Sequence, residues 1–68
     1  MNPNRFVIGE RVGYVNHVAG YEIGVLVVSR LKGAKVFATK LFDETREFMF
    51  DENGVASWSP NLSIKHLP

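Results

Sequence analysis

The chain has 68 residues, 46% of them hydrophobic, with eight Lys or Arg against seven Asp or Glu and no cysteine. That length holds one domain, residues 1–68, and a chain so short buries only roughly 60% of its unfolded surface, which keeps its stability low. Disulfides and cysteine zinc sites are excluded, and a formal net charge of +1 excludes the strong basic excess of an indiscriminate nucleic-acid binder.

Residues 1–5 read as a frayed end, without the basic start and long apolar stretch of a signal peptide. Phe6-Val7-Ile8 reads as a short lead-in packed on the fold. Gly9 opens a first strand over Glu10 to Asn16, with Val12 and Tyr14 on one face. Asn16 to Gly20 carries turn chemistry. Tyr21 to Arg30 is the strongest strand. Its β-branched residues suit a pleated surface, and apolar side chains on both faces predict a central, doubly covered position. Within it, Gly24 is read as the point where the long strand bends over the first, because a strand glycine marks a bulge, a bend or a close backbone approach. The longest apolar run, Val25 to Val28, is far too short to span a bilayer, so a cytoplasmic soluble protein is expected.

Gly33 supplies a hairpin turn, followed by a strand over Lys35 to Leu41. Phe42 to Thr45 is read as the next turn, and Arg46 to Phe50 alternates with Phe48 and Phe50 inward. Asp51-Glu52-Asn53-Gly54 is the strongest turn signal in the chain. Val55 to Trp58 reads as a short strand. Ser59 caps, and Pro60 begins, a single turn of 3-10 helix before a last strand or tail over Ser63 to Leu67. About five short antiparallel strands at this spacing mean an all-β barrel or sandwich. The expected core is Val12, Ile23, Val25, Val27, Val36, Phe48, Phe50 and Leu62.

This order of elements resembles a small SH3-like barrel. Gly9-Glu10-Arg11-Val12 with the later Gly24-Val25 makes residues Gly9 to Val36 similar to the KOW motif of ribosomal proteins and transcription-elongation factors. His17 departs from it, standing where the family often has a further glycine. Small phage and bacterial barrels share the layout, including a turn like Phe50-Asp51-Glu52-Asn53-Gly54. The layout is also similar to the plasmid-borne dihydrofolate reductase. That enzyme's Val-Gln-Ile-Tyr segment is not kept at Ala56-Ser57-Trp58-Ser59, so no catalytic role carries over.

Chemistry is sparse. Without cysteine the nucleophiles are hydroxyls and lysines, and His17 and His66 lack the neighbouring ligands of a metal site. Asp43, Glu44, Asp51 and Glu52 fall in turns, where acidic residues serve structure. No glycine loop is placed to cradle phosphate. The expectation is a non-enzyme with no cofactor, no metal and no evident small-molecule substrate. Binding rests on the aromatic and sulfur side chains of Tyr14, Tyr21, Phe37, Phe42, Met49 and Trp58. The barrel resemblance implies a groove of such residues for a peptide or a base. The leading expectation is a module that docks a macromolecular partner, a protein, through Tyr14, Tyr21, Phe37 and Trp58, flanked by charged hairpins. The alternatives are KOW-like RNA or DNA binding, with Arg30, Lys32, Lys35 and Lys40 on phosphates, and a homo-oligomer that buries its spare apolar face.

Overall fold

A computed structural model describes residues 5–67, so the expected frayed end lies outside them apart from Arg5, which is exposed. Five strands follow one another: β1 (Arg11–Asn16), β2 (Tyr21–Lys32), β3 (Lys35–Lys40), β4 (Asp43–Asp51) and β5 (Leu62–His66). They form one antiparallel sheet in the order β4-β3-β2-β1-β5. Among the described residues there is no helix, hence none long and apolar enough to cross a membrane.

The sheet curls but stays open. Between its edge strands only two isolated bridges reach across, Phe50 to Ala56 and Val55 to Ser63, so the strand expected over Val55 to Trp58 reduces to those two residues. The 3-10 turn expected at Ser59 to Leu62 is a pair of separate turns. Ser59 N–H reaches the Ala56 carbonyl at 3.4 Å and Leu62 N–H reaches the Ser59 carbonyl at 3.3 Å. A 3-10 helix needs such i to i+3 bonds on successive residues, and these lie three apart.

Turn chemistry fixes the hairpins. Asn16 Oδ1 accepts from the Val18 and Ala19 N–H groups and shapes the β1–β2 turn. Asp51 Oδ1 accepts from Asn53 and Val55 N–H, and Gly54 turns the chain at a φ of 86°, where a Cβ would lie 2.6 Å from the Ile64 carbonyl oxygen. The β3–β4 turn falls earlier than expected. Leu41 and Phe42 form it, Asp43 pairs with Lys40, and the next regular pair is Thr39 with Glu47. The sequence hid this turn because its second residue, Phe42, takes a positive φ of 68° that a phenylalanine does not advertise.

The core is built by Phe6, Val12, Leu26, Val28, Val36, Ala38, Phe50, Ala56 and Ile64. Val12, Val36 and Phe50 are as expected, and Phe48 and Leu62 pack half-buried against them. The expectation fails on β2: Leu26 and Val28 point inward, while Ile23 and Val25 are exposed and Val27 is half-buried. With apolar residues on both faces, alternation within β2 does not say which face is inner. The pairing of Leu26 with Val12 decides it. Gly24 lies inside β2 opposite Tyr14, next to a bulge that leaves Ile23 as the extra residue.

The lead-in closes the bottom of the fold. Phe6 is buried and stacks on His66 with ring centroids 4.4 Å apart, and His66 Nδ1 pairs with the Glu10 carboxylate. Val7 and Ile8, by contrast, are exposed.

Candidate functional site

β3 ends at Lys40, opposite Leu26 of β2, so β2 runs on past it from Val25 back to Tyr21 with β1 as its ladder neighbour. On the inner face this overhang forms one wall of an apolar cleft of about 490 Å³. Tyr14, Ile23, Gly24, Val25, Leu41 and Phe48 line it, and Lys40 is its one charged lining residue.

The cleft continues into an aromatic cluster. The Tyr14 ring lies 6.2 Å from Phe48 and meets Phe50 edge-on at 6.1 Å. Trp58 leans on the same two rings, 5.7 Å from Phe48 and 5.5 Å from Phe50, yet remains 50% exposed. Such pairs add about 0.5–1.5 kcal/mol each beyond area burial, so the cluster is held in place before anything docks. Burial raises the Tyr14 phenol above its ordinary pKa, keeping the ring neutral.

Gly24 is the unusual member of this site. Four other glycines of the chain take positive φ, and Gly13 packs tightly against Lys65 and Leu67. Gly24 has ordinary strand backbone, and a Cβ built on it meets nothing within 4 Å. Inside the fold, any β-branched residue would serve better there. The glycine leaves the floor of the cleft low.

Of the residues expected to bind a protein, the structure brings three to this face. Tyr14 and Trp58 share Phe48 and Phe50, and register puts Tyr21, 62% exposed, on the same side beyond Tyr14. Phe37 is elsewhere. It faces outward beneath Arg30, whose guanidinium carbon sits 4.1 Å from the ring centroid. Three of the four basic residues share the outer face, Arg30 and Lys32 on β2 opposite Phe37 and Lys35 on β3. Arg30 is engaged by Glu47 at 3.1 Å. Lys32 and Lys35 pair across the β2–β3 hairpin. Lys40 lies at the far end of β3, roughly 17 Å along the strand. His17 Nε2 is within 2.6 Å of Ser63 Oγ, and among the described residues no group of three His, Cys, Asp or Glu could hold a metal.

The sequence reading did not place Phe48, Leu41 and the Ile23-Gly24-Val25 segment in a site. The signal it held was Phe42, grouped with the binding residues but assigned no place. It tops the β3–β4 turn beside the cleft, 95% exposed and at positive φ. Holding a non-glycine residue so costs on the order of 1–3 kcal/mol, and exposing its ring repays none of it. Next to it Asp43 is held below the usual carboxylate range by the Thr45 hydroxyl and backbone N–H, with Lys40 and Arg46 adding to the effect. Comparison of the chain with protein-family models, with curated proteins and with solved structures finds no match in any of the three.

Proposed function

We propose that the protein is a non-catalytic docking module of SH3-like barrel type, which takes an apolar protein segment into the cleft lined by Tyr14, Gly24 and Phe48, with Trp58 packed on Phe48 beside it. The strand order, with β1 between β2 and β5 and the Val55-Ala56 bridges between the two edges, supports the barrel assignment. The observation that carries the docking reading is Gly24: a strand glycine with no use inside the fold, set in the wall of a cleft lined by aromatic side chains. Glycine at such a place lets another backbone or a large side chain come close. Glu47 neutralises Arg30 within the basic group of the outer face, and Lys40 stands apart from that group, which supports protein over nucleic acid as the partner.

The test is selection of peptides from a random display library on the immobilised protein, read out by the emission of Trp58, the sole tryptophan. Cleft binders shift that emission, tolerate added salt, and lose affinity on Gly24→Val. Selected peptides indifferent to Gly24→Val overturn the reading. So does single-stranded RNA that binds with steep salt dependence and is lost on the Lys32→Ala, Lys35→Ala double change.

A further inference from the structure

The geometry points to a second copy of this chain as the occupant: Phe42 of each copy inserts into the other's cleft, forming a two-fold dimer. This rests on the docking reading above and names its partner. Three observations lead to it. First, the molecule carries a knob and a hole side by side. The knob is the fully projecting Phe42 ring, and the hole is the cleft to which its neighbour Leu41 already contributes. A self-complementary pair of adjacent features is what a two-fold interface requires, since each copy gives its knob and offers its hole. Second, the cleft has room for the ring. A cavity of roughly 150 Å³ accepts a benzene ring, and this cleft measures about 490 Å³, with Gly24 lowering its wall.

Third, the charges agree. The turn reads Lys40-Leu41-Phe42-Asp43-Glu44, with a cation before the ring and anions after it. Lys40 is the one charged residue lining the cleft. Two such turns crossing antiparallel bring the acidic side of each tip towards the other copy's Lys40. The strained backbone at Phe42 fits the same use. The tight Leu41-Phe42 turn sets that φ of 68° and holds the ring outward, where its burial would need a partner.

Two variants separate this role from a structural one. Phe42→Gly removes the knob and relieves the positive φ, and Gly24→Val fills the hole where a Cβ meets nothing. The first removes a ring that is 95% exposed, and the Cβ of the second meets nothing within 4 Å. Sedimentation equilibrium at micromolar concentration is expected to give twice the chain mass for the native protein. Each variant is expected to weaken the association by roughly thirtyfold or more, as for a central aromatic anchor. Thermal unfolding of the variants in dilute solution should be at or above that of the native chain. A native protein that stays monomeric overturns the inference, as does a dimer that either folded variant preserves. If the native chain is monomeric while library peptides still need Gly24, the second copy is wrong and the docking reading stands. If those peptides are also indifferent to Gly24, both fall.

Discussion

At the scale of single residues, two glycines meet opposite demands. Gly54 has a φ of 86°, and a Cβ there would lie 2.6 Å from the Ile64 carbonyl oxygen and 3.1 Å from the Phe6 ring. Neither atom can withdraw cheaply, since one is backbone and the other is core. Gly54→Ala should cost about 1–3 kcal/mol or more, seen as a lower urea midpoint with an unchanged slope. Gly24 has neither demand. Tyr14 makes a prediction of a different kind. Burial raises its folded pKa above the ordinary 10.0, so as pH climbs past that value the unfolded chain sheds its phenolic proton first. The folded state then binds more protons than the unfolded one, and stability falls with rising pH. Tyr14→Phe should flatten that alkaline loss in urea titrations, and an equal slope in the variant would remove Tyr14 as its source.

At the scale of elements, β2 is the strand on which the fold turns. Its central run Val25-Leu26-Val27-Val28 offers apolar side chains to both faces, and only pairing with β1 and β3 assigns them. Leu26 is 3% exposed, whereas its neighbour Val25 is exposed. Leu26→Ala should therefore cost about 2–5 kcal/mol, and Val25→Thr within about 0.5 kcal/mol of nothing. Equal losses on chemical denaturation would mean the two faces had been exchanged. The bulge at Ile23 matters here too. It inserts one residue where β2 leaves the core, which returns Tyr21 to the inner face beside Asn16 and Tyr14.

At the scale of the whole molecule, the small core leaves little in reserve. Native domains hold roughly 0.05–0.15 kcal/mol per residue, about 3–10 kcal/mol for this length. Phe6 lies outside the sheet, yet it is 4% exposed, stacks on His66 and touches the Gly54 turn. A Phe→Ala change in a core costs about 3–5 kcal/mol, so Phe6→Ala should remove a third or more of the total and lower the thermal midpoint steeply. A variant that melts like the native protein would show that residues 6–10 are a dispensable tail. Surface pairs matter less at this scale. Arg30 with Glu47 and Lys65 with Glu22 are exposed bridges at 3.1 and 2.8 Å, each worth up to about 1 kcal/mol.

The all-β class, the antiparallel strands and their approximate number were readable in the residues. Period-two alternation, β-branched runs and glycine or Asx turns act within a few positions of one another, and short-range forces set them. The exclusion of disulfides among these residues likewise follows from composition. What lies beyond reach of local pattern is everything that depends on which strand lies beside which. The inner face of β2 came from its register with Val12, because both of its faces are apolar. The cleft came from β3 stopping opposite Leu26 while β2 runs on, and the aromatic cluster from Trp58 folding back on Phe48 and Phe50. That Gly24 borders empty space and Phe42 stands clear of the surface are facts about neighbours far away in the chain, fixed only when the sheet forms.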